Sequence, residues 1–467
     1  MSTDATEKGS QEPGRAKAPD TSAAAAMGGG GRVALYIFGL RCGSAGVAYA
    51  MQIALARLLG DAQYGVFVTA WALVPLVGTF ACLGLPLVAQ KLVPTYLVSG
   101  NRVALAGFLH GARWVSGLSG AVLSLTGLAL LFLSPILPFL DHIAEGPYWV
   151  PLLMVLLTAP LFAVGAVQEG IARSLDWTPT AMMPAYLLRP LVLLMFGSIA
   201  IWAGQPALAG TVMTAGMVAT ALTVAGQAKA IETGTRRAGL ALQEGERRPT
   251  LTEWLGDRRW LKLGAPIVIV EVCDLVMLNA DVLVLAVFVP PQDVGMYFAA
   301  AKTLMLVQFV YFAVASSMTH RFAALHEAGD ETGLQDALRR SVHWTFWPSL
   351  AATGVMLAAG PYLLALFGPA FVTAYPVMAI LSVGLLVRAG VGPLERFLNM
   401  IGHEWAAARA YGVATVFCIV FNVALIPTYG IRGAAVAMAA TYAIETLLLV
   451  VATRAALRRR ALPVDAR

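Results

Sequence analysis

Arg41, Gln52, Arg189, Glu271, Asp274, Asp281, Lys302, Arg388 and Glu445 each interrupt a long apolar stretch. A charge at the centre of a bilayer costs about 2.5–3.5 kcal/mol on insertion scales, so such groups face a wet cavity or a partner. At 100° per residue, Glu271, Asp274 and Asp281 fall within about 80° of arc, with Leu278 completing the stripe. Three carboxylates on one face need cations, protons or water. One chemistry is proton or sodium coupling, because close carboxylates hold such an ion more tightly. The other is static pairing with Arg41, Arg189, Lys302 or Arg388, and Asp281, near the end of its stretch, has water as a third option. Glu445 is the further deep acid.

Arg41 and Gln52 share a stripe with Ser44, Ala45 and Ala48, which suits either a lumen or close helix packing. Arg189 precedes Pro190, whose missing N–H opens the helix there. Glu169, Glu395 and Arg396 lie near the ends of apolar runs and are expected to reach water. Tyr49, Trp71, Tyr186 and Tyr311 could stack on sugars, but their helical spacing is that of packing residues.

Other chemistries lack their residues. HExxH, GxSxG and GxxxxGK[ST] are absent, and Gly28–Gly31 follows no strand. Cys42, Cys82, Cys273 and Cys418 all fall in apolar stretches, without disulfide or zinc spacing. No metal or cofactor is expected, and no enzymatic activity. The central basic connection is too short for a nucleotide-binding domain. A membrane-embedded sugar polymerase would need a long outer loop, and the connections on that side are short.

The elements that carry these residues follow from composition. Of 467 residues, 58% are hydrophobic and 12% charged, about half the charge of a soluble domain. That predicts an all-α polytopic membrane protein. Spans are expected near 33–57, 65–89, 112–135, 147–168, 180–203, 206–228, 264–289, 294–318, 343–367, 374–396, 407–427 and 431–453, with the uncharged run 344–387 broken at Phe367-Gly368-Pro369. Lys and Arg cluster in alternate connections, most densely between 229 and 262. The positive-inside rule then puts both termini in the cytoplasm. The net charge of +6 follows this distribution, and no nucleic acid is implied.

A repeat appears at an offset of 230: Ala56–Ala70 aligns without gaps on Ala286–Ala300, with Gly65 opposite Gly295. Both segments join a first span to a second. The expected organisation is a disordered cytoplasmic tail (1–31), a six-helix lobe (32–230), a basic linker (231–262), a second six-helix lobe (263–453) and a basic tail (454–467). Parallel repeats of this kind are one plan for alternating-access carriers.

The stretch Ala54-Leu-Ala-Arg-Leu-Leu-Gly-Asp-Ala-Gln-Tyr-Gly-Val-Phe resembles the first outer hairpin of Wzx-type polysaccharide flippases, in the multidrug/oligosaccharidyl-lipid/polysaccharide (MOP) exporter superfamily. Leu278-Asn-Ala-Asp-Val-Leu-Val-Leu-Ala-Val-Phe-Val-Pro-Pro-Gln-Asp-Val-Gly-Met-Tyr resembles its counterpart in the second half, and Ile426-Pro-Thr-Tyr-Gly-Ile-Arg-Gly-Ala-Ala the penultimate outer turn. The resemblance implies two lobes around a central cavity in a bacterial cytoplasmic membrane. It implies ion-coupled transfer of an undecaprenyl-diphosphate-linked oligosaccharide for surface polysaccharide (O-antigen, capsule or exopolysaccharide) synthesis. Membrane lipid, a polysaccharide polymerase and a chain-length regulator are the partners it brings.

In that setting Arg41, Arg189, Lys302 and Arg388 are candidates for headgroup contact, and Glu271, Asp274, Asp281 and Glu445 for coupling. One departure stands out. The family's cavity is expected to be markedly cationic, whereas these deep charges number four positive and four negative. A multidrug extruder of the same superfamily would use carboxylates for cationic drugs. A lipid II flippase commonly has more spans. A non-transporting scaffold of a polysaccharide assembly complex would tolerate neutralisation of each deep charge.

Overall fold

The computed structural model describes residues 21–133, 146–242, 245–247, 249–250, 254 and 259–461, and every element among them is helical. Residues Met1–Gly43 form one unit and Ser44–Arg467 another. Helix α1 (Thr21–Cys82) starts inside the segment expected to be disordered, led by the helix-favouring run Ala23–Ala26. The rest of that tail, 1–20, lies outside the described residues. At Gly60 (φ 73, ψ 171) α1 is broken, in the turn expected between the first two spans.

Leu83 (φ 51) and Gly84 (φ 70) break the chain again before α2 (Leu85–Val98). The sequence reading carried one span through this point. The physical cause is a backbone contact, because a Cβ on Gly84 would stand 2.7 Å from the Gly264 carbonyl oxygen. Then follow α3 (Arg102–Leu133), α4 (Trp149–Ser174), α5 (Thr178–Trp202) and α6 (Ala209–Arg237). Beyond the central connection come α7 (Arg259–Phe288), α8 (Pro291–Met305), α9 (Gln308–Glu327) and α10 (Glu331–Phe367). A 3-10 turn at Pro369–Ala374 leads to α11 (Tyr375–Ala389), α12 (Leu394–Met400) and α13 (Glu404–Ala461). The break at Phe367-Gly368-Pro369 is where hydropathy put it.

Among the described residues, nine helices are long and apolar enough to cross a membrane. Two of these, Gly39–Cys82 and Glu404–Arg458, each contain a non-helical glycine, Gly60 or Gly430. Packing runs mostly within each half of the chain. Helix α4 lies against α2, α3 and α6, and α5 against α6, while α13 lies against α7 and α11, and α10 against α9 and α11. The connection between the halves is tied to α3: Trp254 stacks on Trp260 at 5.0 Å and meets Phe108 at 6.1 Å. Asp330 caps α10. The Gly333 N–H and the Thr332 hydroxyl donate to it and hold its carboxyl below the usual range.

The repeat closes on itself at the end of the bundle that carries Gly60 and Pro290. Gly65 and Gly295 meet there: a Cβ on Gly65 would stand 1.6 Å from the Pro291 carbonyl oxygen, and one on Gly295 3.1 Å from the Gly65 nitrogen. Tyr64, fully buried, packs against Phe298, Phe367 and Phe371 at 6.3, 6.3 and 5.8 Å. Beside them Arg57 donates from Nε and Nη2 to the carbonyls of Leu366 and Ala365, both at 2.6 Å. These are the orphan acceptors of a helix C-terminus, where a cation is favoured.

The glycine seam yields a direct test. Gly65→Ala forces two backbones apart and is expected to cost about 1–3 kcal/mol, read as a lower melting temperature in detergent. Gly226→Ala, which meets no atom within 4 Å, should not lower it. Equal melting of the two variants would mean that the seam does not hold the halves together.

Candidate functional site

A cavity of about 550 Å3 lies between the two halves of the Ser44–Arg467 unit. The first half supplies Tyr49, Gln52, Trp71, Phe162, Glu169, Tyr186 and Arg189 to its wall, and the second Leu278, Asn279, Phe298, Lys302, Gln308 and Phe312. Tyr49 bridges the halves with a 2.9 Å hydroxyl contact to Thr303. Thr303 gives its own proton to the Ala299 carbonyl, so Tyr49 is the donor. Gln52 accepts from the Tyr64 hydroxyl at 3.0 Å, which ties the cavity wall to the aromatic cluster beside the glycine seam.

Arg189 owes its position to a local irregularity. Prolines at 184 and 190 flank a π turn, Pro184–Leu188, and the Arg189 N–H bonds back to the Pro184 carbonyl. Such single π turns inside α-helices occur frequently at functional sites. The guanidinium lies over the Phe162 ring at 5.4 Å and beside Gly165, where a Cβ would come within 3.5 Å of Nη2. Arg189 is 8% exposed, and its Nε has no hydrogen-bond partner among the described residues.

Lys302 faces it from the second half. Its Nζ stands 4.9 Å from the centre of the Phe298 ring and 3.5 Å from the Met305 sulfur. Among the described residues, the ion pairs within 4 Å are Arg173–Glu169, Arg236–Glu232 and Arg388–Glu445. Neither Arg189 nor Lys302 is in one. The cavity's acid, Glu169, is held by Arg173 and accepts from the Tyr186 hydroxyl at 3.3 Å. It was expected to reach water. It also lines the wall, because the cavity extends to that end of α4, and its side chain is 18% exposed.

The remaining deep charges are spread over separate places. Asp281 is buried, lines a smaller adjoining cavity and accepts from the Tyr297 hydroxyl at 2.6 Å and the Val282 N–H at 2.8 Å. Burial thus replaces water, which the sequence allowed at this helix end. Glu271 is half-buried and Asp274 exposed; the wall of the large cavity on α7 is Leu275, Leu278 and Asn279. Arg388 and Glu445 face each other at 3.2 Å. Tyr411 stands 3.3 Å from Arg388 and donates to Glu395, and the Tyr311 and Tyr442 rings lie 5.7 and 5.4 Å from the guanidinium. Arg41 belongs to the Met1–Gly43 unit and is exposed there. The four-to-four balance read from the sequence therefore does not describe the large cavity. Its described wall holds two cations outside any ion pair and one carboxylate already paired.

Sequence reasoning passed over Asn279 and Gln308, whose polarity at membrane depth was a usable signal. It set aside Tyr49, Trp71 and Tyr186 as packing, since spacing alone does not tell a cavity-facing ring from a buried one.

The sequence model of a family described as polysaccharide biosynthesis protein matches residues 31–320, and the MatE family model matches residues 266–425. The chain is 26% identical over 173 residues to a probable low-salt glycan biosynthesis flippase, Agl15, of Haloferax volcanii. That match spans 36% of this chain and 36% of the relative. Among solved structures, an inward-facing multidrug resistance MATE family transporter of the MOP superfamily superposes with a TM-score of 0.69 at 16% identity, over 89% of this chain and 96% of that one. The lipid II flippase MurJ, in an inward closed conformation, gives 0.67 at 14% identity, over 90% and 87%. A MOP superfamily transporter from Pyrococcus furiosus, described as having a binding pocket of reversed polarity, gives 0.58 at 15% identity, over 90% and 95%. At such identities the likeness is one of fold.

The Arg388–Glu445 pair can be tested by removing its members in turn. Glu445→Leu alone leaves the half-buried Arg388 guanidinium without its acid and is expected to cost about 1–3 kcal/mol, most of which Arg388→Met in the same chain should restore. Melting of the purified variants measures both. A single variant as stable as the wild type would mean that the pair does not hold α11 to α13.

Proposed function

Because this chain belongs to the polysaccharide biosynthesis protein family, we propose that it carries a lipid-linked oligosaccharide, joined through a diphosphate to a polyprenyl chain, across the cytoplasmic membrane of a bacterium. In this proposal the family member, which has the fold of MOP superfamily transporters, acts as a multi-pass membrane transporter of flippase type, with that cargo and that direction. The reading rests chiefly on one observation. Arg189 and Lys302 project from opposite halves into one cavity, and neither is in an ion pair among the described residues.

A diphosphate entering a low-dielectric slab needs such partners. Charge-assisted bonds from Arg or Lys to phosphate oxygens are roughly twice as strong as neutral ones. Cations held on two separate halves also give the headgroup a means of drawing those halves together, and of releasing it when they part. In this reading the polyprenyl tail stays in lipid. Glu271 and Asp274 serve coupling, since Glu445 faces Arg388 and Asp281 is held by Tyr297. The chain crosses twelve times, as two lobes over 32–230 and 263–453 with cytoplasmic termini. The broken helices α1 and α13 each cross twice and α7 once. A drug extruder for cations is disfavoured, because the cavity's carboxylate is already taken by Arg173.

The test is the lipid-linked glycan pool of a deletion strain, measured by mass spectrometry and by accessibility from the outer face. Glycan should accumulate inside, be relieved by the wild-type chain, and stay trapped with Arg189→Ala or Lys302→Met. An unchanged pool, with new sensitivity to cationic dyes, would replace this function by drug extrusion.

A further inference from the structure

We propose that the chamber beside Arg388 is a subsite for a neutral sugar ring, the part of the cargo next to its diphosphate. The inference rests on the flippase reading above and adds the site that reads the glycan. The chamber measures about 110 Å3 and is lined by Gln308, Tyr311, Ser349, Arg388, Glu395 and Arg396. Gln308, at the start of α9, lines it together with the central cavity and the smaller cavity of Asp281. Phe312 is a second wall shared with the central cavity. The chamber therefore adjoins the cavity of Arg189 and Lys302, with the Gln308 and Phe312 side chains at their common wall.

The chemistry of the two spaces differs. In the central cavity the cations stand outside ion pairs and suit phosphate. In the chamber the formal charges cancel: Arg388 faces Glu445 at 3.2 Å, and Arg396, in no ion pair among the described residues, shares the wall with Glu395, which the Tyr411 hydroxyl holds at 3.2 Å. A site without net charge has little pull on a phosphate, yet it offers hydrogen-bonding groups in several directions from Gln308, Ser349, Glu395 and Arg396. The Tyr311 ring adds an aromatic wall, against which the C–H face of a sugar ring packs. Ionic donors and acceptors, an amide, a hydroxyl and a ring, with charges that cancel, select a neutral polyhydroxylated ligand. Arg388, read from the sequence as a headgroup contact, becomes part of the sugar site because Glu445 has already taken up its charge.

The experiment uses the purified full-length chain and two kinds of probe: farnesyl diphosphate, and a panel of farnesyl diphosphates each bearing one common hexose or N-acetylhexosamine. At least one glycosylated probe should bind the wild type about tenfold more tightly than the bare diphosphate, the worth of about one net hydrogen bond. Tyr311→Ala and Ser349→Ala should each remove most of that advantage and leave binding of the bare diphosphate unchanged. Ser349→Ala, a small change away from the ion pairs, decides the matter if Tyr311→Ala fails to fold. The proposal falls if no glycosylated probe binds better than the bare one. It also falls if the variants weaken both kinds of probe equally, or weaken neither. Arg189→Ala reports on the headgroup separately, because it should weaken every probe. If bare diphosphate binds as well without Arg189, the flippase reading loses its anchor while the sugar advantage can still be measured.

Discussion

A guanidinium set among aliphatic and aromatic side chains must be neutralised, hydrated or given an anionic ligand, and Arg189 and Arg388 are handled in opposite ways. Arg388 is met by Glu445 at 3.2 Å and covered by two tyrosine rings. Arg189 is aimed into a cavity with its Nε unmatched among the described residues. Pairing costs the desolvation of two charges and ends there. Leaving a cation over an open space keeps a standing attraction for whatever anion can reach it. The π turn before Arg189, the bare surface of Gly165 and the Phe162 ring all serve that second arrangement. Its counterpart in the other half, Lys302, rests against Phe298, one of the rings around Tyr64 at the glycine seam.

The backbone decides where these side chains can stand. Gly65 and Gly295 bring the two halves into contact at one end, and Gly84 and Gly264 do so between α2 and α7. Between those contacts the halves are held apart by larger groups, and the cavity is what remains. The cross-half bond from Tyr49 to Thr303 and the Arg57 clamp on the end of α10 add direction to a contact that glycines alone would leave free to slide.

Much of this was legible in the sequence, for reasons that also explain what was not. Hydropathy finds helices because each must satisfy its own backbone in lipid, and the Phe367-Gly368-Pro369 break and the turn at Gly60 fell where composition put them. The offset of 230 paired Gly65 with Gly295 before any contact between them was known. The stripe of Glu271, Asp274 and Asp281 was less informative. Helical geometry places residues on one face but does not say which neighbour covers each turn of it, and here Tyr297 takes Asp281 while Asp274 stays exposed. Charge counting failed for the same reason. Four against four is a property of the chain, whereas a ligand meets only the charges that share its cavity. The break at Leu83 and Gly84 was hidden because its cause, a second backbone at Gly264, is far away in sequence.

The seam between Gly65 and Gly295 has a consequence for what can loosen it. It is made of main chain against main chain, with no titratable side chain in the glycine contact itself. Neither acidity nor salt has a direct handle on that contact, and substitutions elsewhere can retune the cargo site without changing how snugly the seam closes. What bears on the seam is the placement of α1 and α8, the helices that carry its two glycines. The seam and the cavity wall are thus separable features carried by the same two helices.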